Sequence, residues 1–362
     1  MEFLNQGFDH VEYSVKQIST VEPIFKRMGF EKVGSRNSQA HGTQTVAYAQ
    51  GRVRILITQP ASSQVPVGKS PTVDFHRKQD EGICVLGVEV RDATRAFQDA
   101  VKRGAKPALE PTVSKSSDGV VVRSEIWTPG QVRYAFMERH QEKKSTESCL
   151  FDEDLTFSRL DSPTPFQIHK IDHLTNNVGM GKMKDWVEYY KEVFDFEVTR
   201  HFDIRTGRTG LISDVVQSKD RKITVPINEA TEKESQVQEF VDRMKGPGVQ
   251  HLAFLSSDIQ LTLNALRKSD FKFLTVPHTY YEVVPTRVPG VIEDLGELEK
   301  LGILLDGEGG GYLLQVFSEE VLGPFFFEFI QRRGNNGFGE GNFRALFEAI
   351  ERDQIRRGVL KG

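Results

Sequence analysis

The chain has 362 residues, of which 38% are hydrophobic and 27% are charged, a composition typical of a globular protein with two or more hydrophobic cores. Its formal charge of −4 comes from 47 basic and 51 acidic residues spread along the chain, which argues against partners such as nucleic acid or an anionic membrane. The two cysteines, Cys84 and Cys149, form no CxxC pair, and no signal peptide or long apolar stretch is indicated. We therefore expect a cytoplasmic protein with a small-molecule partner.

The first strand-like segment of the chain recurs in its second half. GFDHVEYSV around His10 resembles KIDHLTNNV around His173, and each precedes an amphipathic helical pattern. Further on, GICVLGVEV (82–90) resembles GVQHLAFLS (248–256), and a helical pattern follows each of these as well. The chain therefore consists of two similar halves, and each half contains paired units of one strand, one helix and several further strands.

The composition of the intervening and terminal segments predicts the domain boundaries. Residues 140–166 are polar and charged and contain two prolines, which is typical of a linker, so we predict domains at 1–150 and 151–362. A glycine-rich stretch at 334–341 precedes an amphipathic helical pattern at 342–358. The glycines are a plausible hinge, and this last helix is predicted to act as a lid.

Candidate metal ligands occur at equivalent repeat positions of the second half only. They stand on three separate predicted strands: His173, His251 and Glu328. The alignment of the two halves places His10, Val85 and Ala135 at the corresponding positions, so the first half retains one donor of three. This pattern predicts one metal site per chain, in the C-terminal domain, and an N-terminal domain without a metal site.

The sequence around Glu328 supports this interpretation. Glu328 lies within the apolar segment GPFFFEFI, where an unpaired carboxylate costs several kcal/mol unless a charge or a metal compensates it. Two histidines and one carboxylate leave coordination positions open, which is typical of non-heme iron(II) oxygen chemistry. The other histidines are interpreted as structural residues: His10, His41, His76, His140, His169, His201 and His278.

The motifs IDHLTNNV, GVQHLAFLS, LLQVF, FFFEFIQRRG and GFGEGNFRALFEAIERDQ resemble those of the bacterial 4-hydroxyphenylpyruvate dioxygenase family, most closely over residues 168–358. The resemblance implies an α+β fold with two vicinal-oxygen-chelate domains. Each would contain paired βαβββ modules in an open, barrel-like mixed sheet with helices outside, followed by the C-terminal lid helix. Relatives form dimers or tetramers, so a homo-oligomer is implied.

The resemblance also implies an activity. The enzyme would use one Fe(II) per chain and O2 to convert 4-hydroxyphenylpyruvate into homogentisate and CO2, a step of tyrosine and phenylalanine catabolism. The reaction combines oxidative decarboxylation, ring hydroxylation and migration of the side chain. Because the substrate carries its own α-keto acid, no external 2-oxoglutarate is needed.

The resemblance assigns roles to residues at matching positions. Gln250 and Gln315 match two glutamines near the metal, to which a catalytic role is assigned. The positions that match substrate-binding residues of the family are Ser213, Asn228, Gln236, Phe317, Phe326, Phe338 and Phe343. Without the resemblance, Ser213 and Gln236 would be predicted to lie on a solvated surface.

Three alternatives remain open. The sibling family of 4-hydroxymandelate synthases resembles this one in fold, ligands and substrate but hydroxylates the benzylic carbon, and Pro226 and Asn228 in VPINE resemble the ring-hydroxylating family instead. An isomerase, epimerase or ring-cleaving dioxygenase could use the same scaffold, although the Phe-rich final strand argues against it. A metal-free binding module is expected to resemble the first half throughout.

Overall fold

The protein is described by a computed structural model. It covers residues 3–62, 64–116, 119–141, 148–152, 155–158, 165–205, 209–308, 310–339, 341–342, 354–355 and 358–359. The predicted lid helix, 342–358, therefore lies outside the described residues apart from 342, 354, 355 and 358, and the same is true of Phe343.

The first half of the chain forms one eight-stranded mixed sheet. Its strands are β1 (Phe3–Ser14), β2 (Glu31–Ser38), β3 (Thr43–Gln50), β4 (Val53–Pro60), β5 (Gly82–Val90), β6 (Lys106–Ser116), β7 (Gly119–Trp127) and β8 (Arg133–Gln141). Their order across the sheet is β2-β3-β4-β1-β5-β8-β7-β6. The β1/β4 and β5/β8 pairs are parallel and the other neighbours are antiparallel. The helices of this half are α1 (Ile18–Arg27), α2 (Pro71–Gln79) and α3 (Ala93–Lys102).

The second half repeats this layout. Its strands are β11 (Ile168–Val178), β12 (Glu197–Arg205), β13 (Gly210–Gln217), β14 (Thr224–Ala230), β15 (Gly248–Ser256), β16 (Leu304–Glu308), β17 (Gly311–Phe317) and β18 (Phe326–Arg333). The order β12-β13-β14-β11-β15-β18-β17-β16 is that of the first sheet. Its helices are α4 (Met183–Phe194), α5 (Gln236–Arg243), α6 (Ile259–Lys268), α7 (His278–Glu282), α8 (Val284–Arg287) and α9 (Leu295–Leu301). The predicted duplication into paired βαβββ modules, with barrel-like mixed sheets and outer helices, is confirmed.

Equivalent helices begin in the same way in both halves because the same residue type starts them. The side chain of Asp92 accepts a hydrogen bond from the Arg95 amide at the start of α3, and Asp258 accepts one from the Leu261 amide at the start of α6. The buried residues of α6 then recur at helical spacing: Ile259, Thr262, Leu263 and Leu266. The helix lies against β18, the neighbour of β15 in the sheet.

The segment between the halves differs from the predicted linker. Within residues 140–166, β8 continues to Gln141, and β9 (Ser148–Asp152) pairs with β10 (Leu155–Ser158) in an antiparallel hairpin. The hairpin lies beside the first sheet, with β10 next to β2. Two short apolar runs, CLF and LTF, have the composition of strands. The many charged residues around them make the whole segment polar on average, which is why its composition predicted a linker. The domain division at residue 150 stays a prediction.

Aromatic packing joins the two halves. Phe25 and Phe30 of the first half lie 6.3 and 5.9 Å, between ring centroids, from Phe327 and Phe254 of the second. Tyr134 forms a 3.1 Å hydrogen bond with the hydroxyl of Tyr190. None of the described helices is long and apolar enough to cross a membrane.

Candidate metal centre

The three predicted metal ligands meet on neighbouring strands at the middle of the second sheet. His173 on β11 and Glu328 on β18 both pair with Ala253, which lies between them on β15, and His251 stands two residues before Ala253. The Glu328 Oε2 atom is 3.3 Å from His173 Nε2 and 3.5 Å from His251 Nε2. All three side chains are buried, so the alternation expected from the sequence brings them to one interior face.

The arrangement fits a divalent metal ion. Nitrogen and oxygen ligands lie about 2.0–2.2 Å from such an ion, so two ligands of one ion lie within roughly 4.4 Å of each other, as these atoms do. The second carboxylate oxygen of Glu328, Oε1, is buried and has no hydrogen-bond partner among the described residues. Within that part of the chain, this is the one group of three or more His, Cys, Asp or Glu side chains with metal-binding spacing.

A half-buried ion pair orients His173. Asp172 Oδ2 lies 2.9 Å from His173 Nδ1, and Arg332 donates to both carboxylate oxygens of Asp172 at 2.9 and 2.6 Å. Asp172 is the extra residue of a β-bulge. Ile171 pairs with Phe254, and His173 pairs with Ala253, the residue directly before Phe254 on β15. Because the carboxylate accepts the proton of Nδ1, Nε2 is the ring nitrogen that faces Glu328, the orientation that a metal ligand needs.

The electrostatics of the site favour a cation. Burial lowers the pKa of His173, but Glu328 and Asp172 outweigh it and raise this pKa to about 9. Burial raises the pKa of Glu328, whereas His173 and His251 bring it below its usual value. Despite its burial, Asp172 has a pKa well below its usual range because of Arg332. Burial lowers the pKa of His251. The ionised Glu328 carboxylate therefore adjoins a position where a divalent ion would replace the proton on His173 Nε2, while Asp172 holds the other nitrogen of the ring.

Aromatic rings form the wall of the site. Phe326 stacks on His251 with ring centroids 4.7 Å apart. Phe317 makes T-shaped contacts with both of these rings, with centroid distances of 6.4 Å to His251 and 6.1 Å to Phe326. Phe338 contacts His173 edge to face at 5.8 Å and lies under the guanidinium of Arg332 at 5.7 Å. Three of the four predicted aromatic residues thus adjoin the histidines, and Phe343 falls outside the described residues.

A row of polar side chains crosses the same sheet. Ser213 on β13 pairs with Asn228 on β14, which pairs with Asn177 on β11. Asn228 Nδ2 donates to Asn177 Oδ1 at 3.2 Å. The hydroxyl of Ser213 and the Oε1 atom of Gln236, the first residue of α5, are buried and have no hydrogen-bond partner in the described part of the chain. The surface location that the sequence alone predicted for Ser213 and Gln236 is wrong, because α5 packs across β11 and β14.

The two predicted glutamines near the metal are both buried. Gln250 is the extra residue of a second bulge, because Thr175 pairs with His251 and Asn176 with Val249. Gln315 on β17 lies two residues before Phe317, whose pairing partner is Glu328. Its Oε1 atom accepts a 3.3 Å hydrogen bond from Asn342, and its Nε2 atom has no partner among the described residues.

The corresponding position in the first half holds no ligand set. The same strand pairings that relate the metal ligands identify the equivalent positions as His10, Val85 and Ala135. The place of the aromatic wall is taken by a buried ion-pair network in which Arg123 and Arg133 each lie 2.5 Å from Glu125. Val85 and Ala135 cannot bind a metal, and Glu125 is already paired with the two arginines. These differences explain why the candidate site lies in the second half.

Sequence reasoning missed Asp172, Arg332, Asn177 and Asn342. A signal existed for the first two, because Asp-His occurs in both halves and Arg139 binds Asp9 in the first half as Arg332 binds Asp172 in the second. The sequence carried no comparable repeat for Asn177 or Asn342.

A duplicated βαβββ fold with two histidines and a glutamate on adjacent strands defines a metal-binding protein of the vicinal-oxygen-chelate class. The family model described as "Hydroxyphenylpyruvate dioxygenase, HPPD, N-terminal" matches residues 3–156, and that of the "Glyoxalase/Bleomycin resistance protein/Dioxygenase superfamily" matches residues 170–283. Relatives that are 37–38% identical over 98% of the chain bear the name 4-hydroxyphenylpyruvate dioxygenase, so the chain belongs to that family.

Individual relatives agree with this assignment. The chain is 37% identical to 4-hydroxyphenylpyruvate dioxygenase of Legionella pneumophila (strain Corby), and 38% identical to that of Pseudomonas sp. (strain P.J. 874). Each alignment covers 98% of this chain and 96% of the relative. Among solved structures, a mutant of 4-hydroxymandelate synthase from Streptomyces coelicolor shares the fold, with a TM-score of 0.83 and 23% identity over 96% of this chain and 98% of that one.

Proposed function

We propose that the protein is a 4-hydroxyphenylpyruvate dioxygenase that uses Fe(II) and O2 to form homogentisate and CO2 from 4-hydroxyphenylpyruvate. The reaction would serve tyrosine and phenylalanine catabolism in the cytoplasm, in a dimer or tetramer of this chain. The observation that carries the proposal is the buried cluster of His173, His251 and Glu328 in a chain 37–38% identical to enzymes of that name.

His173, His251 and Glu328 are the proposed iron ligands, one ion per chain. The chemistry that Fe(II) supplies when bound is the activation of O2 for oxidative decarboxylation and hydroxylation. Three protein ligands leave positions open, and the substrate's own α-keto acid makes external 2-oxoglutarate unnecessary. Asp172 keeps the proton of His173 on Nδ1, so that Nε2 is available to the metal.

The aromatic wall is proposed to hold the substrate ring and to exclude water. Phe317, Phe326 and Phe338 contact the ligand histidines directly, so a ring placed among them lies next to the metal. Phe343 is assigned to the same wall by its position in the family motif. Excluding water protects the reactive centre and strengthens the electrostatic interactions within it.

The polar side chains of the site are proposed to orient the substrate. The buried hydroxyl of Ser213 and the amide oxygen of Gln236 need hydrogen-bond partners, which polar groups of the substrate would supply, and Asn228 lies beside Ser213 on the neighbouring strand. Gln250 and Gln315, next to the metal ligands, are proposed to act on the keto-acid end. Leaving such atoms without a partner costs about 1–3 kcal/mol each, which is why a bound ligand is favoured.

A second candidate is 4-hydroxymandelate synthase, whose fold matches with a TM-score of 0.83. At 23% identity that match supports the fold alone, whereas the dioxygenases are 37–38% identical over nearly the whole chain. The product distinguishes the two. The protein is incubated anaerobically with Fe(II) and 4-hydroxyphenylpyruvate, O2 is admitted, and the product is identified. Homogentisate supports the proposal, and 4-hydroxymandelate supports the sibling activity.

A further inference from the structure

We propose that Asn342 is a positioning residue that fixes the orientation of the Gln315 amide, so that the NH2 group of Gln315 donates into the metal site. The inference rests on the proposed function only for the identity of the substrate, since the hydrogen bonds that carry it are internal to the chain. They run from Arg287 through Asn342 to Gln315.

The direction of these hydrogen bonds begins at Arg287, because a guanidinium can only donate. Arg287 Nη2 lies 3.2 Å from Asn342 Oδ1, and the Tyr280 hydroxyl lies 2.5 Å from the same atom. The oxygen of the Asn342 amide must therefore face Arg287. Asn342 is fully buried, so the opposite orientation would place its NH2 group against the guanidinium without solvent to compensate.

The orientation passes from Asn342 to Gln315. With Oδ1 facing Arg287, Asn342 presents Nδ2 to Gln315, and the two side chains meet through Nδ2 and Oε1 at 3.3 Å. Gln315 is fully buried as well, and its remaining polar atom, Nε2, has no partner among the described residues. Gln315 and Phe317 lie on the same face of β17, and Phe317 is the residue that pairs with Glu328. Its NH2 group is thus a donor held at the edge of the metal site.

Two glycines allow the chain around Asn342 to approach this closely. Gly339 has a φ of +72°, and a Cβ atom there would collide with Gln315 Oε1. A Cβ atom at Gly341 would lie 2.5 Å from Asp306 Oδ1, and the Gly341 amide donates to the other oxygen of Asp306 at 2.9 Å. In the GEGN sequence, the two glycines therefore let the backbone approach Gln315 and Asp306 closely, and this approach brings the Asn342 amide to Gln315.

The residues that anchor Asn342 belong to a part of the fold that the first half lacks. Tyr280 on α7 and Arg287 on α8 lie between α6 and β16, whereas α3 leads to β6 in the first half with no described helix between them. In the first half, the position equivalent to Gln315 is Arg123, whose pairing partner is Met137 as that of Gln315 is Ile330. Asn342, Tyr280 and Arg287 thus all belong to the half of the chain that contains the candidate metal ligands.

The fixed orientation of the Gln315 amide determines whether a substrate atom next to it must be a hydrogen-bond acceptor or a donor. An NH2 group held toward the site binds an acceptor, such as a carboxylate or keto oxygen of an α-keto acid, and leaves a donor such as a hydroxyl group unfavourably placed. The proposal therefore assigns Gln315 to the keto-acid end of the substrate, with Asn342 acting through it.

The test measures pyruvate binding to Co(II)-loaded protein by calorimetry, since pyruvate has the keto-acid group without the aromatic ring. In Asn342→Asp, a carboxylate oxygen faces Gln315, which then turns its own oxygen into the site. We expect pyruvate to bind about 10- to 100-fold more weakly, while Co(II) affinity stays within about 2-fold. Gln315→Met should show a similar loss, and adding Asn342→Asp to it should cost little more.

Tyr280→Phe is the matched control, because it removes one hydrogen bond to Asn342 but leaves Arg287 to fix the amide, and we expect a change within about 2-fold. Should Asn342→Asp not fold, Gly339→Ala carries the same test by displacing the Gln315 amide. Unchanged pyruvate affinity, or losses that add fully in the double variant, would overturn the proposal. If the pyruvate results are as expected but turnover yields no homogentisate, the amide orientation stands and the proposed function fails.

Discussion

At the scale of single residues, the site depends on pairs whose members lie far apart along the chain. Arg332 and Asp172 form a bidentate ion pair that orients His173, and the same guanidinium covers Phe338 and donates to the Gly337 carbonyl at 2.7 Å. One arginine thus couples a metal ligand to the loop that follows β18. Loss of such partners of ligand histidines typically lowers metal affinity 10- to 100-fold.

We predict that Arg332→Gln lowers Fe(II) affinity by about 10- to 100-fold without unfolding the protein, because Asp172 loses its partner and His173 its fixed orientation. Metal titration by calorimetry under anaerobic conditions measures the effect. Arg333→Gln is the matched control, since this exposed neighbour binds Glu293 and has no contact with Asp172. Equal affinities for wild type and Arg332→Gln would show that the ion pair does not orient the ligand.

At the scale of secondary-structure elements, equivalent strands carry different chemistry in the two halves. The buried pair of Glu125 with Arg123 and Arg133 on β7 and β8 occupies the place of the aromatic wall of the second half. Burial raises the pKa of Glu125, but the two arginines outweigh it and lower the pKa below the ordinary value of 4.5. The folded state therefore favours the ionised carboxylate.

The sign of the resulting pH dependence follows from that depressed pKa. The stabilisation by Glu125 is complete above its unfolded pKa of about 4.5 and is lost as pH falls through the lower folded value. We predict that Glu125→Gln costs about 3–5 kcal/mol of unfolding free energy at pH 7, because it leaves buried arginine charge unpaired, and that stability then falls less steeply below pH 5. Urea unfolding at pH 7 and pH 4 tests this, with the exposed Glu31→Gln as control. Parallel pH profiles for wild type and Glu125→Gln would contradict it.

The C-terminal segment is the second element whose role can be tested. Asn342 contacts Gln315, and Gln354 donates at 2.6 Å to Glu239 on α5, the helix that begins with Gln236. We predict that ending the chain after Gly341 reduces homogentisate formation at least about 10-fold while Fe(II) binding is largely retained, because Asn342 contacts Gln315 whereas the three proposed iron ligands precede residue 341. Product assays and iron analysis of the truncated protein measure both. Full activity in the truncated protein would mean that this segment is not a lid.

At the scale of the whole molecule, much of the fold and the candidate metal ligands could be predicted because the chain is duplicated. His173, His251 and Glu328 stood out against His10, Val85 and Ala135, and the strand registers place each set at equivalent positions. Periodicity of polar and apolar residues is a local signal, so it succeeded for strands and helices.

The features that the sequence did not reveal depend on tertiary contacts. Ser213 and Gln236 are buried because α5 packs across β11 and β14, and no local pattern reports that contact. Asp172 and Gln250 are the extra residues of two β-bulges, which interrupt the regular alternation of side chains. The hairpin of β9 and β10 was hidden by its charged surroundings.

The central claim is that one Fe(II) ion, held by His173, His251 and Glu328, is required for homogentisate formation. The most direct measurement is the iron bound per chain, together with homogentisate yield, for wild type, Glu328→Ala and the exposed-histidine control His201→Ala. We predict about one bound iron per chain and homogentisate formation for wild type and His201→Ala, and neither for Glu328→Ala, whose fold is retained. Stoichiometric iron and turnover in Glu328→Ala would contradict it.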